Sequence, residues 1–152
     1  MTDENIAQVM VVAVLLTVVL LARWYGRRIP NWGDLPDLAL ERDSDGAAVV
    51  PVSMLRHRRT LGSTTNGISP RLWVTAKGLR FKVFQPAELA FADFKRVEAY
   101  PSLFHGTRLV FVGYGRWLHV LIPDRRAARA VLRMLPPGLP LSPAAAALRG
   151  DR

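Results

Sequence analysis

The first strong pattern in the chain is an apolar run near its start. No charged residue occurs between Asn5 and Ala22, and within Ile6–Ala22 only Gln8 and Thr17 are polar. Continued to Tyr25, the run reaches about 20 residues, or roughly 30 Å as a helix, which is the hydrocarbon thickness of a bilayer. A surface helix of a soluble domain would show a polar stripe, and this run shows none. The pattern therefore predicts a transmembrane helix within residues 1–25.

The residues on either side of the run predict its orientation. Asp3 and Glu4 precede it, and arginines follow it. The positive-inside tendency then predicts a single-pass protein of the bacterial cytoplasmic (inner) membrane, with the N-terminus outside and the C-terminal domain in the cytoplasm. One alternative is a cleaved signal peptide, but a basic n-region and a small-residue cleavage site are missing. The other is a buried core helix, which a domain of this small size does not favour. The residues expected at the membrane interface are Arg23, Trp24, Tyr25, Arg27 and Arg28.

Proline and glycine divide the rest of the chain. Residues 26–46 are rich in Gly, Pro and Asp, which predicts a linker. Residues 136–152 begin with Pro-Pro-Gly and predict a mostly disordered tail, in which Ala144–Leu148 is too short for a stable helix by itself. The segment between them, residues 47–135, carries the strand and helix patterns and is the predicted domain.

Alternation with a period of two predicts strands in that domain. In Leu79–Phe84, for example, Leu79, Phe81 and Val83 alternate with Arg80 and Lys82. The dipeptide Lys77-Gly78 and the tripeptide Gly113-Tyr114-Gly115 are hairpin signals between such runs. The seven predicted strands are Val49–Arg56, Arg71–Ala76, Leu79–Phe84, Glu88–Phe91, Phe94–Tyr100, Arg108–Val112 and Arg116–Ile122.

A helix is predicted after the last strand. Pro123 ends the strand, and Asp124 is a suitable N-cap. The helix Arg125–Leu135 is amphipathic, with alanine, valine and leucine on one side and arginines on the other. The arginines are candidate contacts to an acidic partner: Arg125, Arg126, Arg129 and Arg133.

This order of seven short strands and one terminal helix resembles the bacterial pleckstrin-homology-like (PH-like) domains that occur beside transmembrane helices. The resemblance is carried by LWVTAKGLRFKVF, ELAFADFKRVEAY, RLVFVGYGRWLHVLIPD and the arginine-rich helix. It implies an α+β, mainly β fold, in which a seven-stranded, partly open barrel is capped by the C-terminal amphipathic helix. It also implies a binding role, because members of the family hold phosphoinositides or peptides, although fold alone assigns no function.

Charge adds a preferred partner to this picture. The 152 residues include 21 Lys and Arg against 12 Asp and Glu, a formal net charge of +9. Between Gly46 and Ala87 the chain has basic residues and no acidic one. Basic residues around the loop after the first strand are where lipid-binding members of the family hold headgroups. The candidate lipid contacts are Arg56, Arg58, Arg59, Arg80 and Lys82.

The residues offer little for catalysis or metal binding. The absence of cysteine excludes thiolate chemistry and disulfides. The spacing of His57, His105 and His119 matches no zinc-ligand pattern. A nucleophile elbow, a P-loop and a GxGxxG motif are all missing. We therefore expect a non-enzymatic protein with no metal and no cofactor.

Two functions remain open from the sequence, and a third is less favoured. The favoured one is a membrane-anchored scaffold whose basic cytoplasmic PH-like domain contacts anionic inner-leaflet lipid. The alternative is an adaptor that binds a partner membrane protein or peptide through that domain. Nucleic-acid binding is not expected, because the exposed positions beside Arg80 and Lys82 lack the interleaved aromatic residues of a stacking platform.

Overall fold

A computed structural model describes residues 12–20, 36–102 and 104–151 of the chain. The chain divides into two compact units, Met1–Asp34 and Leu35–Arg152. In the first unit, residues 12–20 are α-helical. The second unit contains the strands, together with two helices in its C-terminal part.

The predicted transmembrane anchor is corrected here. Within the three described ranges, no helix is both long enough and apolar enough to cross a membrane. On this finding the predictions of a transmembrane helix, of a single-pass protein and of an inner-membrane location are wrong. The predicted interface residues lie outside the described residues: Arg23, Trp24, Tyr25, Arg27 and Arg28.

The described part of the second unit is mainly β, with two antiparallel sheets. The four-stranded sheet has the order β1-β4-β5-β6, with β1 at Ala48–Val50, β4 at Arg71–Val74, β5 at Gly78–Lys82 and β6 at Pro86–Ala90. The five-stranded sheet has the order β3-β2-β9-β8-β7, with β2 at Met54–Arg59, β3 at Gly62–Asn66, β7 at Phe94–Ser102, β8 at Gly106–Gly113 and β9 at Arg116–Ile122. A 3-10 turn at Phe91–Asp93 connects the two sheets between β6 and β7.

This topology corrects the predicted seven-stranded barrel, because the described strands form two separate sheets and no closed barrel. The predicted strand Val49–Arg56 is in fact two strands, one in each sheet. Pro51 lacks the N–H that a continuous ladder needs, so the chain leaves the first sheet there and enters the second. Strand β3 comes from a segment that the sequence indicates as a loop. All but the last of its residues are exposed, so it has no apolar alternation.

The inner faces of the two sheets share the core of the unit. Alternate residues of β2, β4, β5, β7 and β9 are buried there, as the period-two pattern requires, whereas β3 buries none. The ring of His57 on β2 meets that of Phe81 on β5 edge-on, with 5.3 Å between the centroids. The largest fully buried side chains of the sheets are Leu55, Leu72, Val74, Leu79, Phe81, Val97, Leu109, Phe111, Leu118 and Ile122.

Helix α1 (Arg125–Met134) follows β9 directly. Its first turn is capped by Asp124, whose carboxylate accepts a hydrogen bond from the backbone N–H of Arg126 at 2.8 Å. Its apolar side is fully buried through Ala127, Ala128, Val131 and Leu132.

Residues 136–151, predicted to be mostly disordered, instead pack on the domain. The backbone N–H of Val97 on β7 donates to the carbonyl of Pro140 at 2.9 Å, and the N–H of Ser142 donates to the carbonyl of Val97 at 2.8 Å. Helix α2 (Pro143–Arg149) then runs from the Ser142 cap to Gly150, which takes the left-handed conformation at φ +97°. Leu148 in this helix is 0% exposed. The tail therefore covers the outer edge of β7 and extends the core.

Candidate functional site

The structure distributes the five predicted lipid contacts over different surfaces. Arg56 and Arg58 are exposed on the outer side of the five-stranded sheet. Arg59 is the last residue of β2, next to the β2–β3 turn. Arg80 and Lys82 belong to β5 in the other sheet. The five residues therefore do not make one continuous patch.

Arg80 is engaged within the fold. Its Nη1 lies 2.5 Å from Oδ2 of Asp45, and its Cζ lies 5.0 Å from the centroid of the Trp73 ring. The hydrogen bond to Arg80 lowers the pKa of the Asp45 carboxyl and raises the pKa of Arg80 itself. Because an acidic neighbour already compensates its charge, Arg80 is a poor contact for an external anion.

One end of the two-sheet stack is formed by three hairpin loops, which we call the loop end. The β2–β3, β5–β6 and β8–β9 loops surround an open cavity of about 940 Å³. The backbone N–H of Thr60 donates to the carbonyl of Gly115 at 3.1 Å and joins the first loop to the third. Gly115 has φ +67°, and a Cβ there would lie 2.9 Å from the Thr60 hydroxyl, so this close approach needs glycine.

Each of the three loops exposes a large apolar side chain. Leu61, Phe84 and Tyr114 are 100%, 72% and 73% exposed. All three line the loop-end cavity. The Nζ of Lys95 lies 3.9 Å from the centroid of the Tyr114 ring. An exposed apolar residue is unremarkable when alone, but three that converge on one end of a domain form a contact surface.

Two arginines face each other at the base of these loops. Arg59 and Arg116 are direct partners in the β2–β9 register, and like charges in that position repel. In the described part of the chain, neither side chain forms a hydrogen bond or an ion pair. An anion placed between them would remove the repulsion and accept their hydrogen bonds.

His57 lies beneath this pair and lines the same cavity. The residue is 8% exposed, and its buried Nε2 has no hydrogen-bond partner among the described residues. Burial lowers the pKa of His57, and the Arg59 and Arg116 guanidinium groups lower it further. The ring is therefore neutral at neutral pH, and its unpartnered Nε2 is shielded from solvent.

The arginines of α1 make contacts within the fold. Arg126 forms an ion pair with Asp124 at 2.9 Å, and Arg133 forms one with Asp37. Arg125 donates to the carbonyl of Ser102 at 2.8 Å, and Arg129 is 6% exposed. That these four residues bind an acidic partner stays a prediction, and the contacts seen here connect the helix to neighbouring segments.

A second surface, which the sequence did not indicate, is the outer face of strands β2, β9, β8 and β7. We call it the outer sheet face. The strand registers give it three rows of four side chains. The first row is Arg58, Trp117, Val112 and Arg96. The second row is Arg56, His119, Val110 and Glu98. The third row is Met54, Leu121, Arg108 and Tyr100.

The outer sheet face could not be found from local sequence, because its members come from four strands spread over the domain. The only local signal was that Trp117, His119 and Leu121 alternate on one side of a predicted strand. No protein-family model and no curated protein matches the chain, so neither surface can be assigned a function by comparison with known proteins. The resemblance to PH-like domains stays a prediction, and the function rests on the geometry of the two surfaces.

Proposed function

We propose that the domain is a non-enzymatic module that binds anionic membrane surfaces through its loop end. The observation that carries the proposal is the meeting of three exposed apolar loop side chains with a facing pair of arginines. Apolar side chains at loop tips enter the boundary between headgroups and acyl chains, and basic residues beside them attract anionic lipid.

The arginine pair supplies a place for a lipid phosphate. Arg59 and Arg116 stand opposite each other, so a phosphate between them can accept charge-assisted hydrogen bonds from both. Leu61, Phe84 and Tyr114 would then hold the loops in the bilayer interface around that headgroup.

The electrostatic contribution to membrane binding can be estimated from the number of basic residues. Each basic residue near an anionic surface contributes about 1 kcal/mol, so loss of Arg59 and Arg116 together weakens binding by about 2 kcal/mol, or about 30-fold. Salt weakens the same term, because exposed charges are screened within a Debye length of about 10 Å at 0.1 M. The apolar loop contacts are insensitive to that screening.

The test is co-sedimentation of the full chain with vesicles that contain phosphatidylglycerol and with vesicles of phosphatidylcholine alone. The paired variant Arg59→Glu with Arg116→Glu is compared with Arg56→Glu with Arg58→Glu, which changes the net charge by the same amount on the outer sheet face. We expect the first variant to lose most of the preference for anionic vesicles and the second to keep most of it. Binding to neutral vesicles reports the part of the binding that does not depend on lipid charge.

Two results would overturn the proposal. An equal loss of binding to anionic vesicles in both charge-reversed variants would mean that binding depends on net charge and is not confined to the loop end. Retention in both would remove the loop end from the contact. Phe84→Asp gives a further check on the apolar contribution: it should weaken binding at high salt, where the electrostatic contribution is screened.

A further inference from the structure

We propose that the outer sheet face is a docking site for an acidic protein segment with apolar side chains. This proposal goes beyond lipid binding, because the face uses different residues from the loop end. It rests on the charge, the composition and the dimensions of the three rows described above.

The charge of the face calls for an anionic partner. It has four arginines, Arg56, Arg58, Arg96 and Arg108, and one carboxylate, that of Glu98. That carboxylate already accepts hydrogen bonds from Nε of Arg96 and from the hydroxyl of Tyr100, both at 2.6 Å. In the described part of the chain, Arg56 and Arg58 form no hydrogen bond or ion pair through their side chains.

The centre of the face is apolar. Val110 is only 5% exposed, and a shallow depression of about 420 Å³ runs over it, bordered by Val112, Trp117 and His119. Burial lowers the pKa of His119, and the neighbouring arginines lower it further, so the central imidazole is neutral at neutral pH. An apolar centre with arginines on both sides matches the composition of protein interfaces, which are enriched in aromatic residues, Met and Arg and depleted in Lys.

The dimensions favour a short segment. Four strands at about 4.8 Å give a width of about 14 Å, and three alternate residues along a strand give a similar length. An extended chain covers that length with about four or five residues. Its acidic side chains would reach Arg56 and Arg58 on one side and Arg96 and Arg108 on the other, with its apolar side chains over Trp117 and Val112.

Two other occupants fit less well. A second copy of this face would bring arginines against arginines, which is repulsive. Single-stranded nucleic acid needs open aromatic faces for stacking. Here the Tyr100 ring has the Arg108 guanidinium 4.8 Å from its centroid, and the hydroxyl of Tyr100 is bound to Glu98. Of the aromatic rings of Tyr100 and Trp117 in the three rows, only that of Trp117 is then left for stacking, and successive bases need more than one ring.

The test is selection of a random dodecamer peptide library on the full chain, followed by fluorescence anisotropy with the selected peptides. We expect peptides that combine Asp or Glu with Leu, Phe or Trp. Their dissociation constants should rise about tenfold or more for Trp117→Ala and for Arg56→Glu with Arg58→Glu. Arg59→Glu with Arg116→Glu, the matched change at the loop end, should bind them normally.

The outcomes separate clearly. Selected peptides without acidic enrichment, or peptides whose binding survives both outer-face variants, would overturn the proposal. If an oligothymidylate of equal charge displaced the peptides completely, the partner of the outer sheet face would be nucleic acid and not an acidic protein segment. Circular dichroism of each variant identifies one that has unfolded, and Arg56→Gln with Arg58→Gln then supplies a milder change. Because the loop-end variant is the control here and the test variant with vesicles, failure of one proposal is distinguishable from failure of the other.

Discussion

Substitution of Leu148 by Ala tests whether residues 136–151 belong to the folded unit. Leu148 is 0% exposed in α2, so truncation removes a completely buried side chain and leaves a cavity. Leu to Ala changes of this kind cost 2–5 kcal/mol, and we expect about 3 kcal/mol here. A disordered tail would lose nothing, because the side chain would be in water in both the folded and the unfolded protein.

The measurement is urea unfolding of the full chain, followed by far-UV circular dichroism. With a slope of about 1.5 kcal/mol per molar urea, a loss of 3 kcal/mol lowers the midpoint by about 2 M. Leu61→Ala is the matched control, because the same side chain is 100% exposed there and its truncation should leave the midpoint within error. A Leu148→Ala midpoint equal to that of Leu61→Ala would refute the docking of α2.

Two further predictions concern the sheets. Gly78→Ala should lower the free energy of unfolding by more than about 2 kcal/mol in the same assay, because a Cβ at Gly78 would lie 2.1 Å from the backbone oxygen of Leu89. Gly138→Ala is the control and should be neutral, because a Cβ there would have nothing within 4 Å. Equal midpoints for the two variants would contradict the β5–β6 register. His57 has its pKa lowered below the ordinary value of 6.5, so its contribution to stability is present above that pH and is lost as the pH falls through the folded pKa. The urea midpoint should therefore fall from about pH 7.5 to about pH 5.5 more steeply in the wild type than in His57→Phe. Identical slopes would show that folding does not lower the pKa of His57.

The sequence predicted those elements whose local pattern matches their surroundings in the fold. Strands such as β5 and β9 alternate because one of their faces is buried, and α1 has one apolar side because that side enters the core. Strand β3 could not be predicted in this way, since its residues are almost all exposed and carry no alternation. The split at Pro51 had a visible signal, but the choice of sheet on either side depends on long-range pairing.

Helix α2 could have been predicted from its capping residues, although not from its length. Ala144–Leu148 is too short to be stable alone, but Ser142-Pro143 before it and Gly150 after it are capping signals that mark a helix of this length. The candidate site was likewise predictable in part. The basic residues were identified as residue types, whereas their assignment to two surfaces required the registers of β2 with β9 and of β9 with β8. The compensation of Arg80 by Asp45, 35 residues earlier in the chain, also depends on tertiary structure.

The position of β2 between β3 and β9 has a consequence for how the chain acquires its structure. One neighbour follows β2 at once through a tight turn, whereas the other pairs Met54 with Leu121 and Arg56 with His119. Pairing between residues so far apart closes a long loop, which is slow compared with hairpin formation. During synthesis the edge of β2 that pairs with β9 would therefore stay unpaired until β9 has left the ribosome. A chain that stops before Arg116 would keep that edge open, and we expect it to self-associate.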